Sequence, residues 1–262
     1  GEAGKQIIVG ASVTTTAGSI GLSARDGITL LAGSQLASPK YIDLKPTRMT
    51  LTGNIDGVNH VLPVVSFNPY DNARSILLRG IAPEWALGLD PASLGRFGAY
   101  EINIGSSAHT GSISIDQELR MAGNLVIDTG QSININAPVT LTGANSQFIG
   151  TLHESSGSGA SVTNVGVIDA KKKISILGAD QVQITAQLKS ADIEITAASG
   201  GIQMRRNPND LDPTSVTTRI EAANTLSLRS SGGLYQEGGT LIPAPQLLVE
   251  GELKMQAVLA SM

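Results

Sequence analysis

Cysteine is absent from the 262-residue chain, which excludes disulfides and thiolate metal sites. Aromatic residues are scarce, at 3%. A conventional core in a chain this long would draw more on Phe, Tyr and Trp. Charged residues reach only 15%, with a net charge of −4. The only basic run is Lys171–Lys173, so the footprint of a nucleic-acid-binding protein is missing. No apolar run has the length of a membrane span, and no secretory signal pattern is visible. The chain opens at Gly1 without an initiator Met, and we expect it to be part of a longer protein that continues beyond at least one end.

What fills the chain instead is Gly, Ser, Thr, Ala and aliphatic residues, a composition suited to many short strands joined by tight bends. The main pattern is apolar–x–apolar. It reads Ile102/Ile104, Ile113/Ile115, Leu119/Met121, Leu125/Ile127, Ile133/Ile135 and Val139/Leu141, then Ile174/Ile176, Val182/Ile184, Ile193/Ile195 and Ile202/Met204. Alternation of this kind puts both apolar side chains on one face of a strand, and the units are too short for helices. A longer period lies above it. Ile113/Ile115 return as Ile133/Ile135 after 20 residues, and Leu119/Met121 as Val139/Leu141 after 20. Ile174/Ile176 return as Ile193/Ile195 after 19 residues, and Val182/Ile184 as Ile202/Met204 after 20. A fixed period of this length is the mark of a solenoid. Glycine-bearing bends such as Asp128-Thr129-Gly130 and Ser199-Gly200-Gly201 would also suit two antiparallel sheets, and the recurrence favours the solenoid. The expected fold is all-β: a right-handed parallel β-helix with coils of about 20 residues.

The pattern loosens over 56–99, which we expect to leave the helix wall and fold back over it. Five of the eight aromatic residues lie at Phe67, Tyr70, Trp85, Phe97 and Tyr100, and together they are the candidate recognition surface. The reading that packs them on the wall as a cover is favoured over it, because Trp and Phe side chains are poorly placed in water. A short helix is expected to start near Pro83 or Glu84, because proline is tolerated in a first turn. Two further breaks are expected, a loop at 155–160 and a polar loop at 205–219.

The stretch from Gly18 to Ser38, GSIGLSARDGITLLAGSQLAS, resembles the repeats of filamentous haemagglutinin-type proteins. The likeness rests on Ile20-Gly-Leu22-Ser-Ala24, Gly27-Ile28-Thr-Leu30 and Leu31-Ala32-Gly33, and it returns at Ile193-Glu-Ile195-Thr-Ala197 with Gly201-Ile202-Gln-Met204. It implies a right-handed β-helical shaft exported by two-partner secretion and displayed on, or released from, a Gram-negative surface as an adhesin or the stalk of a contact-dependent toxin. The secretion domain of that family carries Asn-Pro-Asn motifs near its start, whereas Asn207-Pro208-Asn209 falls late in this chain. The shaft is therefore the better match.

Catalysis on a β-helix needs carboxylates clustered from adjacent coils. The positions 20 residues beyond Asp116 and Glu118 are Asn136 and Pro138, so no carboxylate ladder forms there. Asp169, Asp192 and Glu194 lie closer to register, with Asp180 on another part of the coil. His60, His109 and His153 lack ligand spacing and are expected on the surface or in loops. Asn207, Asn209, Asp210 and Asp212 suit a polar turn better than a calcium site. Lys171–Lys173 is expected to be a solvated turn.

The expected function is that of a structural or adhesive scaffold in a large bacterial surface or secreted protein, extracellular, with neither enzyme activity nor cofactor. Its expected partners are a host-cell protein or glycan receptor, and neighbouring coils of the same chain or other copies, without nucleic acid or membrane insertion. The alternatives are a carbohydrate-active β-helix enzyme or tailspike-like protein, and a subunit of an extracellular fibre or envelope assembly.

Overall fold

A computed structural model describes residues 2–3, 5–153, 161–205, 218–236, 240–242, 246–250 and 253–255. Every strand pairing among them is parallel, and the strands form three ladders. The first passes through β1 (Glu2–Ala3), β4 (Ile20–Ala24), β7 (Tyr41–Pro46), β10 (Val64–Phe67) and β13 (Glu101–Gly105). It continues through β16 (Asn124–Thr129), β19 (Gln147–Leu152), the start of β22 (Lys173–Ile184), the middle of β23 (Gln187–Met204) and the end of β24 (Arg219–Ser230), and closes on β27 (Gln246–Glu250).

The second ladder opens with β2 (Gln6–Val9), β5 (Gly27–Leu30) and β8 (Met49–Leu51). It resumes with β12 (Ala86–Leu89), β11 (Ser75–Leu78), β14 (Ile113–Ile115), β17 (Ser132–Ile135) and β20 (Ser161–Val165). The ends of β22 and β23, then β25 (Leu234–Gln236) and β28 (Leu253–Met255), complete it. The third holds β3 (Val13–Thr14), β6 (Gln35–Ala37) and β9 (Asn54–Asp56), then β15 (Leu119–Met121), β18 (Val139–Leu141), β21 (Ile168–Ala170), the starts of β23 and β24, and β26 (Thr240–Ile242).

The recurrences seen in the sequence are the registers of these ladders. Ile113 faces Ile133, Leu119 faces Val139, Ile174 faces Ile193 and Val182 faces Ile202. Alternation sends one side chain in two to a single buried cluster fed by all three ladders. In the first ladder one inward column runs Ile42, Val65, Ile102, Leu125, Phe148, Ile174, Ile193, Leu226. The next runs Leu44, Phe67, Ile104, Ile127, Gly150, Ile176. Glycine enters where the ring of Phe148 takes the space: a Cβ on Gly150 would lie 3.5 Å from Phe148 Cε1 and 3.4 Å from Ile133 Cδ1. Outward positions carry charges that alternate along the third ladder, where Asp169 faces Lys189 and Lys189 faces Glu221, a favourable cross-strand arrangement.

The segment 56–99 does not leave the ladders as a block. β10 sits between β7 and β13, and β11 lies beside β14. The departure is confined to the stretch after β11. There the chain doubles back to place β12 on the far side of β11, adds the one-turn helix α1 (Pro91–Leu94), and returns to the first ladder at β13. The helix starts at Pro91 and not near Pro83. Asp90 is its N-cap, accepting from Ala92 N and Ser93 N, while Ala86–Leu89 is extended, buried at all but Gly88, and finds a strand partner in β11. α1 and the residues after it stand where the third ladder has no strand: Gly98 N donates to Ile55 O at 3.0 Å, and Ser93 Oγ donates to Leu51 O at 2.8 Å.

Of the polar loop expected over 205–219, residues 206–217 lie outside the described residues, as do the turn residues Asn207, Asn209, Asp210 and Asp212 and the loop at 155–160. At its margins Thr218 Oγ1 donates to Arg205 O at 2.6 Å, and Arg219 already belongs to β24.

Candidate binding surface

The five aromatic residues weighed as one recognition surface are divided by strand parity. Phe67 occupies an inward position of β10 in register with Leu44 and Ile104 and is fully buried. Phe97 is 9% exposed and stacks on it, with ring centroids 6.4 Å apart and planes at 19°. Both belong to the core and cannot meet a partner. Tyr70 is half-buried. Trp85 is 64% exposed and Tyr100 is 58% exposed.

Tyr41, which the sequence reading passed over, is also 58% exposed. It opens β7, one residue before the inward Ile42, and the alternation Tyr-Ile-Asp-Leu is the signal that points it outward. Val61 and Leu62 are exposed on the turn that precedes β10. Asn59 and His60 hold positive φ there, and Val58 bridges Val61 antiparallel.

A groove lies on the outer face of the second ladder, and its lining includes Glu84 and Ala86 but not Trp85. β8 pairs only with β5, and β12 only with β11, so the ladder is interrupted between them. The bonds Ile28 N to Arg48 O and Thr52 N to Leu30 O turn Arg48 and Thr52 toward β5. By the alternation of a parallel strand, Met49 and Leu51 turn their backbone groups toward β12. The groove holds about 440 Å3 and is lined by 48–52 on one side and by residues of 80–90 on the other. The Arg48 guanidinium and the Glu84 carboxylate meet at 3.6 Å across it, both well exposed. A second depression of about 420 Å3 adjoins it, shares Arg48 and Thr50, and reaches Gln6, Asp26 and Thr29.

The acids weighed as catalytic candidates are held in separate polar contacts. Glu194 accepts from Lys173 Nζ at 2.8 Å, Asp169 from Lys171 at 3.2 Å, and Asp192 stands in register with Lys173. Asp116 accepts from Asn136 Nδ2 at 2.9 Å and Ser114 Oγ at 2.5 Å, and lies 3.9 Å from Arg79. Asp180 accepts from Gly200 N at 3.4 Å. Among the described residues no group of three or more His, Asp or Glu side chains is placed to hold a metal.

The histidines divide. His60 and His153 are exposed, and His153 Nε2 lies 2.7 Å from Asp128 Oδ1. Burial pushes the Asp128 carboxyl up, and His153 partly offsets this. His109 lies in a loop, the bend between β13 and β14, and is fully buried there. Neither ring nitrogen has a hydrogen-bond partner of good geometry. Burial lowers its pKa to about 4, against a weaker pull upward from the Asn72 backbone.

No protein-family model matches the chain, and no curated protein and no solved structure matches it either.

Proposed function

We propose that the chain is a right-handed parallel β-helix serving as a shaft in a bacterial surface or secreted protein, with adhesion and not turnover as its business. The observation that carries this reading is the set of three parallel ladders feeding one buried cluster. Partner strands lie about 20 residues apart over much of the chain, the spacing at which one coil succeeds the next. The likeness of Gly18–Ser38 to haemagglutinin-type repeats supports an extracellular place and a role in contact with other cells. Engagement of Glu194, Asp169 and Asp116 with neighbouring polar groups favours a structural use of these acids.

Electron microscopy of the purified chain tests the shaft. The first ladder takes ten steps from β1 to β27, which at about 4.8 Å each gives a rod about 50 Å long; a globular particle would overturn the reading. Turnover is tested separately with a panel of polysaccharides and the variant Glu194→Gln. Cleavage by the parent chain that is lost in the variant would replace the scaffold with an enzyme.

A further inference from the structure

We propose that the bend around His109, between the first and second ladders, is an acid-operated latch: it opens locally when that ring takes up a proton, while the ladders on either side stay paired. His109 is fully buried, and among the described residues neither of its ring nitrogens has a hydrogen-bond partner. The one polar group that acts on the ring is the Asn72 backbone. Its carbonyl already accepts from Thr110 N at 2.8 Å and Gly111 N at 3.1 Å. An imidazolium carries two N–H donors. Here it must either take that carbonyl from the two amides that hold the bend, or leave a buried charge without a partner, which costs far more than the neutral ring does.

Three bends are stacked at this place. The first, 68–74, joins β10 to β11; the second, 106–112, joins β13 to β14; the third, 130–131, joins β16 to β17. Gly130 N donates to His109 O at 2.7 Å, and Thr129 Oγ1 donates to Gly111 O. The first two bends touch closely, since a Cβ on Gly111 would lie 2.6 Å from Arg74 O and 2.8 Å from Ala73 O. The charged groups around them are engaged elsewhere. Asp71 accepts from Ala73 N in its own turn, Arg74 donates to Ala86 O, and Asp128 faces His153. Glu101 and Asp116 stand at the far ends of β13 and β14, and Tyr70 is the remaining titratable side chain of the first bend. The ring itself feels burial and the Asn72 backbone, with no charged side chain beside them. Opening breaks the bonds at Asn72 and Gly130, whereas the flanking strands keep their registers from β10 through β13 to β16 and from β11 through β14 to β17. A segment held by so few bonds opens at less cost than the whole fold. The latch joins the coil that carries the insertion after β11 to the first regular coil beyond it, so acid loosens the molecule at that junction and leaves the later coils intact. The inference rests on the bend alone and not on what the shaft adheres to.

Hydrogen exchange of the full chain, followed residue by residue by NMR, tests the latch. A ring pKa of about 4 in the closed bend, against 6.5 in the open one, makes opening about fiftyfold more frequent at pH 4.5 than at pH 7. The amides of Thr110, Gly111 and Gly130 should speed up by about that factor, after correction for the intrinsic pH dependence, and should ignore low urea. The amides of Leu125 and Phe148, inside the ladders, should stay slower and respond to urea. In His109→Leu the acid-driven rise should vanish. The proposal is overturned if the bend amides share the protection and the urea response of the strand amides, because proton uptake then needs global unfolding. It is equally overturned if the rise persists in His109→Leu. Should that variant fail to fold, the ring signals of the parent chain decide, since it holds three histidines. A His109 ring that titrates near 6.5, as an open one does, overturns the latch; one whose titration tracks the bend amides supports it.

Discussion

His109 shows how much one side chain can couple this fold to pH. Its folded pKa of about 4 lies below the ordinary 6.5. Between those values the unfolded chain takes up a proton that the folded chain refuses. Its contribution to stability is therefore complete above pH 6.5, declines as pH falls, and is gone near pH 4; the difference is on the order of 3 kcal/mol. Asp128 acts in the opposite sense, because its raised pKa favours the folded state as pH falls toward 3.8. Urea denaturation at a series of pH values should show the loss between 6.5 and 4, and His109→Leu should flatten that part of the profile. An unchanged slope in the variant would count against His109. A second prediction concerns Phe148 and Gly150. Gly150→Ile should destabilise by about 1–3 kcal/mol through overpacking. Adding Phe148→Leu should recover part of the loss, so that a double-mutant cycle measures favourable coupling.

At the scale of elements, the insertion after β11 depends on one cap. Asp90→Ala removes the acceptor for Ala92 N and Ser93 N and should cost about 0.5–2 kcal/mol, read from the denaturation midpoint. Corners between ladders depend on close backbone approach. A Cβ on Gly123 would come within 2.6 Å of Ala99 O and 2.8 Å of Tyr100 O, so Gly123→Ala should cost more than about 1 kcal/mol in the same measurement. The elements also show what could be read in advance. Ile113/Ile115 and Ile133/Ile135 announce their own register because the stretch between them, β15 and β16, carries no insertion and the alternation is strict. The step from Val65 to Ile102 was hidden, because 79–100 intervenes and its prolines and aromatics suggested departure. Phe67 and Phe97 pack inside, in keeping with the cover reading, whereas Trp85 and Tyr100 stay exposed; the sequence shows only that the aromatics cluster. The parity that buries Phe67 needs the register with Leu44. His109 lies in a bend outside any alternation, and so carried no signal. The depressions around Arg48 join residues from four separate stretches, 6, 26–29, 48–52 and 80–90, which only the ladders bring together.

For the molecule as a whole, the interruption between β8 and β12 has a mechanical meaning. Force applied along the stacking direction loads the rungs one after another, like a zipper, because the backbone hydrogen bonds between strands lie along the pull. At this place the second ladder contributes no strand bonds and the first, through β7, β10 and β13, carries the join, so it should part before the fully bonded rungs. Stretched from its ends in an optical trap, the chain should yield first at this seam, and the residues before it should release about 170 Å of contour. The later rungs, pinned on both edges, should hold to higher load. On that outcome the join between β8 and β12 would act as a fuse, setting where the structure gives way and sparing the longer part beyond it.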